Sequence, residues 1–310
     1  MQAYFLAGPT ASGKTAVAHQ LALHNGYEIL SADSMLIYRG MDIGTAKPTA
    51  RERTEVRYFG IDLVAPHESF NAWHFHRHAC EALADIERRG KHAVVVGGTG
   101  LYLKFLTHGL SDVPGPDPEV RARWETVLAR DGATALATAL RTQSPALYEA
   151  IDDPCNGRRL IRFLEWAAAG LTTPPRGWQA RGTGAPMAAL AVDPELLKSR
   201  IEQRVRAMYG QGLLGEVRGL LAAEVGLSPT AQQAIGYAEA IDLIAGRCDE
   251  AAAIDRTAAR TRRLAKRQRS WLRTQAEAVW IDAGVTRSRD EIAADVQAHW
   301  DASGPTAIAG

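Results

Sequence analysis

The chain has 310 residues, 46% of them hydrophobic and 23% charged, with a formal net charge of +1. That balance is ordinary for a globular protein and excludes disordered and collagen-like classes, while the length allows a core spread over more than one average domain. Three cysteines, Cys80, Cys155 and Cys248, stand far apart with no C-x-x-C pair, so neither a disulfide framework nor a zinc site is implied and the expected setting is reducing and cytoplasmic.

In chain order, Met1-Gln2-Ala3 leads with no basic segment into the apolar run Ala3-Tyr4-Phe5-Leu6-Ala7. The run has the length of a buried strand and is too short for a signal peptide or a membrane span; no stretch of the chain reaches spanning length. Gly8-Pro9-Thr10-Ala11-Ser12-Gly13-Lys14-Thr15 follows and matches G-x-x-x-x-G-K-[ST], the phosphate-binding P-loop. Residues 16–23 continue with apolar side chains at helical spacing. Strand, Gly-rich loop and helix form the context the motif needs, with backbone N–H groups and a helix start turned toward phosphate oxygens. Lys14 supplies a point charge for the phosphates, and Thr15 a hydroxyl for bound Mg²⁺.

A second strand is expected over 27–32, ending at Asp33-Ser34, and a segment over 35–48 begins apolar and ends in loop chemistry. A short strand at 58–63, a helix over 72–89 closed by Gly90, and a central parallel strand over 92–96 come next. That strand runs into Gly97-Gly98-Thr99-Gly100 and a helix from Leu101. Prolines and glycine at 111–118 mark a boundary, residues 119–170 read as helices, and a second loop-rich boundary spans 172–184. A strand over 187–192, further helices to Ala278 and a last strand over 279–281 complete the pattern, with the tail after Trp300 expected to fray. The class is α/β, a P-loop doubly wound, mostly parallel sheet with an all-helical insertion. The expected domains are 1–111 and 186–310 for the core, with 112–185 as the insertion.

Residues at the strand ends on the P-loop side face the ligand crevice of such a sheet. Asp33 there could hold Mg²⁺, act as a general base, or cap a following helix. The 92–96 strand ends in Gly97 rather than the Asp of a Walker-B strand, which disfavours a motor or switch protein and leaves small-molecule kinases open. Gly97, Gly98 and Gly100 read as permitting close backbone approach to a ligand. Arg200 and Arg204, four apart on one helix face, suit either a phosphate clamp or ion pairs with Glu195 or Glu202. His74, His76 and His78 resemble a metal cluster, although on a helix only His74 and His78 share a face. Among the tryptophans Trp124, Trp166, Trp178, Trp271, Trp280 and Trp300, Trp271 is the candidate for base stacking. It lies in a block from Arg256 to Arg273 with eight basic residues and no acidic one, the pattern of a localised phosphate-backbone contact or of a solvated helix face.

Taken together, several of these stretches resemble one family, the tRNA dimethylallyltransferases (isopentenyl-tRNA transferases). They are Gly8 to Thr15, Asp33-Ser34 with 37–48, 97–104, Arg158-Arg159-Leu160 with Arg162 and Leu164-Glu165, 200–204, Ile235-Gly236-Tyr237, and Ala265-Lys266-Arg267-Gln268. They occur in the family's order over most of the chain, and the run from Asp33-Ser34 to Thr45-Ala46-Lys47-Pro48 is its most specific part. The resemblance implies transfer of a dimethylallyl group from dimethylallyl diphosphate to N6 of an adenosine beside the tRNA anticodon, with Mg²⁺. A monomer is expected because no coiled coil or obvious exposed apolar patch is readable, and no membrane contact because no stretch reaches spanning length. Gly8, Thr10, Ala11, Ser12, Gly13, Lys14 and Thr15 would then hold the diphosphate. Asp33 would accept the N6 proton, and Arg204 would neutralise the leaving oxygen alongside Thr15. The tRNA anticodon stem-loop would meet Asp33, Ser34, Met35, Leu36, Thr99, Arg121, Arg158, Arg159, Leu160, Ile161 and Arg162. Gln233, Ala234, Ile235, Gly236, Tyr237 and Ala238 would join them, with Lys266 and Arg267 of the basic block; many relatives carry a basic residue where Ala238 stands. The target base must leave its stack to react. An adenine-nucleotide prenyltransferase acting on free AMP or ATP, a P-loop kinase, and a non-catalytic nucleic-acid binder are the alternatives.

Overall fold

A computed structural model describes residues 1–109, 115, 117–175 and 186–309. Trp178 lies outside them, as do most of the boundary residues expected between 111 and 118 and between 176 and 184. The chain divides into two compact units, Met1–Gly109 with Gly182–Gly310, and Leu110–Arg181.

The first unit begins with β1 (Gln2–Ala7), α1 (Lys14–Asn25), β2 (Glu28–Ala32), α2 (Ala50–Glu55), β3 (Tyr58–Phe59), α3 (Ala72–Arg88), β4 (Ala93–Gly97) and α4 (Gly100–His108). The second unit holds α5 (Pro118–Gln143), α6 (Pro145–Glu149) and α7 (Gly157–Ala168). The chain then returns to the first unit as β5 (Met187–Ala191), α8 (Pro194–Gly210), α9 (Leu213–Leu221), α10 (Pro229–Gln232), α11 (Tyr237–Ile244), α12 (Glu250–Gln275), β6 (Ala278–Asp282), α13 (Arg289–Ser303) and β7 (Thr306–Ala307).

The seven strands form one sheet in the order β3-β2-β4-β1-β5-β6, with β7 beside β1. Every pairing is parallel except β7 with β1. Val94, Val95 and Val96 of β4 are buried, as are Phe5 and Leu6 of β1, because helices cover both faces of such a sheet. One core layer joins Val17, Leu21, Ile29, Val94 and Trp300; the other joins Phe5, Leu30, Phe75, Leu83, Val95 and Leu103. The sheet is the α/β frame expected, with β3 shorter than the predicted run because Gly60 and Asp62 follow it with positive φ of 76° and 53°.

The tail does not fray. Trp300 is buried and donates from Nε1 to the Phe5 carbonyl at 3.3 Å. Beyond it β7 pairs with Gln2 and Ala3, where β5 does not reach, and Ile308 and Ala309 donate to the carbonyls of Met1 and Leu106. The histidine cluster is structural as well. His76 bonds the Ala309 carbonyl through Nε2 at 3.0 Å, and His78 Nε2 accepts from the Gly60 amide at 3.3 Å. Among the described residues no group of three or more His, Cys, Asp or Glu could hold a metal ion.

The second unit has its own core of Trp124, Leu136, Leu140, Leu147, Leu160, Ile161, Phe163 and Leu164. Asp117 caps α5 through the amides of Glu119 and Val120, and Asn156 caps α7 through that of Arg159. No strand occurs among its described residues, and no helix among the described residues of the chain is long and apolar enough to cross a membrane.

Candidate active site

The site grows from the turn between β1 and α1. Gly13 precedes α1 with φ 91°, the left-handed conformation that glycine adopts without steric penalty. No side chain caps α1, so its first N–H groups remain available to an anion. Lys14 is buried and its Nζ donates to the Pro9 carbonyl at 3.3 Å. Burial lowers its ammonium to a pKa of about 8, a drop that the nearby Asp33 carboxylate opposes and Arg204 reinforces. The loop is a concentrated positive site whose lysine gives up its proton more readily than an exposed one.

Arg204 reaches the loop from α8 and donates to the Thr10 hydroxyl at 2.6 Å, while its Nε is buried without a partner. Burial lowers its pKa against the pull of Asp33. Arg200, one turn earlier, lines the same cavity and bonds the Ala283 carbonyl at 3.4 Å. The ion-pair alternative for these arginines does not hold, since Glu195 pairs with Lys198 and Glu202 with Arg262. An unpartnered donor beside Lys14 is the arrangement an anion would complete.

Asp33 follows the end of β2 and caps no helix, because residues 33–49 run as turns before α2. Its Oδ1 accepts from the Met35 amide at 2.9 Å. Thr99 stands beside it through two bonds: its amide donates to the Ala32 carbonyl, and its hydroxyl accepts from the Ser34 amide. A cavity of about 380 Å³ brings Lys14, Thr15, Asp33, Arg200 and Arg204 together with the apolar side chains of Ile29, Leu36, Tyr58 and Val96. Thr15 is exposed at this cavity, and with the Asp33 carboxylate it offers oxygen ligands of the kind Mg²⁺ takes. Two such groups suit a cation that keeps waters and is held mainly by phosphate.

α12 supplies what the sequence reading missed. Gln268 is buried and its Oε1 accepts from the Thr10 amide at 2.7 Å, so α12 and α8 fix the same P-loop residue. Gly98 and Gly100 serve this docking, while Gly97 lies against β2 and lines the cavity. A Cβ at Gly98 would lie 2.4 Å from the Gln268 amide nitrogen, one at Gly100 2.3 Å from the Trp271 ring, and one at Gly97 2.2 Å from the Ala32 carbonyl oxygen. Trp271 is half-buried and packs against Gly100 beside the second core layer, so it docks α12 on the turn after β4. The signal was the pairing of a Gly-x-Gly turn with a Gln and a Trp three apart on one helix face.

The basic block divides in two. Arg256 pairs with Asp242, Arg260 with Glu239, and Arg262 with Glu202. Arg263, Lys266 and Arg267 are exposed and form no ion pair among the described residues. The other expected RNA-contact residues are scattered by burial. Asp33, Ser34, Met35, Thr99, Ile235 and Ala238 are partly exposed; Gln233, Arg158 and Arg159 are exposed, with Arg159 paired to Asp152. Leu36, Ala234, Gly236 and Tyr237 are buried in the first unit, with Leu36 at the cavity wall, and Leu160 and Ile161 are buried in the second. Tyr237 donates to Glu216 at 2.5 Å and fills the space over Gly44. Arg121 is held bidentately by Glu165 at 2.7 and 3.1 Å, and Arg162 donates to the same carboxylate at 2.8 Å. Both therefore brace the helical unit, whatever else they meet.

Comparison with known proteins places this geometry in context. A family model described as IPP transferase matches residues 36–275. A tRNA dimethylallyltransferase of Anaeromyxobacter dehalogenans (strain 2CP-C) is 46% identical over 286 residues, covering 91% of this chain and 95% of that protein. The crystal structure of a full-length tRNA isopentenylpyrophosphate transferase from Bacillus halodurans superposes with a TM-score of 0.71 at 33% identity, covering 97% of each chain. A tRNA isopentenylpyrophosphate transferase from Staphylococcus epidermidis gives 0.68 at 29% identity, covering 96% of this chain and 99% of the other.

Proposed function

We infer the reaction from one premise: the chain belongs to the IPP transferase family. It is an enzyme that transfers a dimethylallyl group from dimethylallyl diphosphate to tRNA. The acceptor is N6 of the adenosine adjacent to the anticodon, and diphosphate is released. The observation that carries this reading is the single cavity in which the P-loop and Arg204 meet Asp33 and an apolar wall. An allylic diphosphate needs all three: donors for the leaving group, a base for the incoming nucleophile, and a dry surface for the hydrocarbon.

The P-loop amides, Lys14 and the free Nε of Arg204 hold the diphosphate, and Arg204 gains strength as charge grows on the leaving oxygen. The N6 nitrogen attacks the allylic carbon as the carbon–oxygen bond to diphosphate breaks. Asp33 takes the proton that the nitrogen loses. Mg²⁺ belongs to the proposal: Thr15 would hold it, and it would supply charge neutralisation of the leaving group. So do a monomeric state and a cytoplasmic location, in keeping with three free cysteines. Exposed Lys266, Arg267 and Arg158 are the cations offered to the RNA backbone.

The test is incubation of the protein with unmodified tRNA, Mg²⁺ and either dimethylallyl diphosphate or ATP, followed by mass analysis of the nucleosides. A five-carbon addition to adenosine that appears with the allylic donor alone is the expected result. Phosphoryl transfer from ATP without allylic transfer would return the site to a kinase, and product from AMP in place of tRNA would move it to free nucleotides.

A further inference from the structure

The cavity is cationic at one end and apolar at the other, and the strand order shows where the apolar end lies. The P-loop follows β1, and the sheet runs outward from it through β4 and β2 to the edge strand β3. Ser31 is the register partner of Val96, and Ile29 the partner of Tyr58. Side chains alternate along a strand, so Ile29 and Ser31 share a face, and their partners lie on that face with them. All four line the cavity, and Ile29, Val96 and Tyr58 border the core layer that contains α1. The cavity therefore leaves the phosphate end and runs beneath α1 to the sheet edge, where Tyr58 stands across it.

Tyr58 is braced. Its hydroxyl bonds His19 Nδ1 of α1 at 2.9 Å, and the two rings stack with centroids 6.1 Å apart and planes 12° apart. His19 is tied in turn through Nε2 to Glu55 of α2 at 3.2 Å. A ring held by its tip and one face cannot swing aside to lengthen the cavity. Ile29 and Val96 lie in central strands and are fully packed, so the edge position is where extra length could be gained or refused.

We propose that Tyr58, braced by His19, sets the chain length of the allylic donor: a five-carbon tail ends against the phenol ring, and a ten-carbon tail is excluded by it. This rests on the reading that the cavity holds an allylic diphosphate. The competitors to compare are geranyl diphosphate and inorganic diphosphate, each measured against dimethylallyl diphosphate in the full-length protein with tRNA. In the wild-type protein geranyl diphosphate should compete no better than inorganic diphosphate, because its tail finds no room. In Tyr58→Ala the ratio should shift at least tenfold toward geranyl diphosphate, the scale of discrimination an apolar pocket exerts on an added hydrocarbon unit, and ten-carbon product should appear on tRNA. Tyr58→Phe keeps the ring and its stacking on His19 but loses the bond at its tip, so it should shift the ratio in the same direction by less than Tyr58→Ala.

Inorganic diphosphate reports whether the P-loop survives the substitution. If Tyr58→Ala no longer binds it, His19→Ala frees the ring without removing it and should shift the ratio in the same direction. A variant that binds inorganic diphosphate normally and leaves the geranyl ratio unchanged overturns the assignment of Tyr58. Failure of the wild-type protein with dimethylallyl diphosphate would instead remove the parent reading, so the two failures are distinct.

Discussion

Asp33 faces the cavity with one carboxylate oxygen occupied by the Met35 amide at 2.9 Å, which orients the group and leaves lone pairs for an incoming proton. Asp33→Ala should lower kcat by about 10²–10⁴-fold, the range for loss of a positioned general base, with tRNA affinity little changed. Collapse of tRNA binding at preserved kcat would make Asp33 a recognition residue. Lys14 permits a second test at the same scale. Its folded pKa of about 8 lies below the ordinary 10.5 because burial disfavours the charged form. Between those values the unfolded chain binds the proton and the folded one does not, so this group favours folding increasingly as pH rises through that window, and below pH 8 the fold bears a buried charge. A diphosphate restores the charged form. Its binding should therefore take up a proton above about pH 8, and its affinity should fall there by up to tenfold per pH unit. Calorimetric titration with inorganic diphosphate in buffers of different ionisation enthalpy reads the uptake directly. Lys14→Met should abolish it, and uptake that persisted in that variant would place the titrating group elsewhere.

At the scale of elements, the segment between β2 and α2 forms one wall of the cavity through Thr45, Ala46 and Pro48 without any regular structure of its own. It is held by charge instead. The Lys47 side chain is fully buried and donates to Asp42 at 2.5 Å, Asp62 at 2.7 Å and the Tyr38 carbonyl at 2.7 Å. Arg53 closes the network on Asp62 at 2.5 Å. From the far side Glu216 accepts the amides of Asp42 and Ile43, and Tyr237 covers Gly44. Lys47→Met keeps much of the volume but takes the buried ammonium from Asp42 and leaves Asp62 with only Arg53 of this network. It should destabilise the protein by about 2–3 kcal/mol, less than the 3–5 of a fully buried pair because Asp42 reaches solvent. Urea unfolding measures this, and the donor KM should rise with it as the wall loosens. Unchanged stability would mean that the packing of Met41 and Tyr38 suffices to hold the segment.

For the whole molecule, what could be read from the chain and what could not divides by the range of the interaction. The P-loop, β4 and the helical stretch between prolines were legible because each depends on neighbours in sequence: a Gly-Lys-Thr turn, a β-branched run, a helical period. β7 was not, because its two residues gain strand structure only from the part of β1 that β5 leaves unpaired. Gln268 and Trp271 were visible as residues but not as partners of Thr10 and Gly100, since that needs the position of α12 over β4. The basic block looked uniform in sequence, and three of its arginines turned out to be ion-paired. The cations left exposed set the last prediction. A chain with a net charge of +1 has no overall attraction for RNA, so binding must come from local sites: Arg158 on α7 in the helical unit and Lys266 on α12 in the other. Each phosphate neutralised contributes about one unit to the salt dependence of log affinity. Arg158→Ala and Lys266→Ala should each lower that slope by about one and the double variant by about two. Their free-energy losses should add, since the residues share no partner among the described residues. Affinity for inorganic diphosphate should stay as it was in all three proteins, because none of them touches the P-loop. A slope that responds to Lys266→Ala but not to Arg158→Ala would leave the RNA grip to α12 alone and give the helical unit a different task.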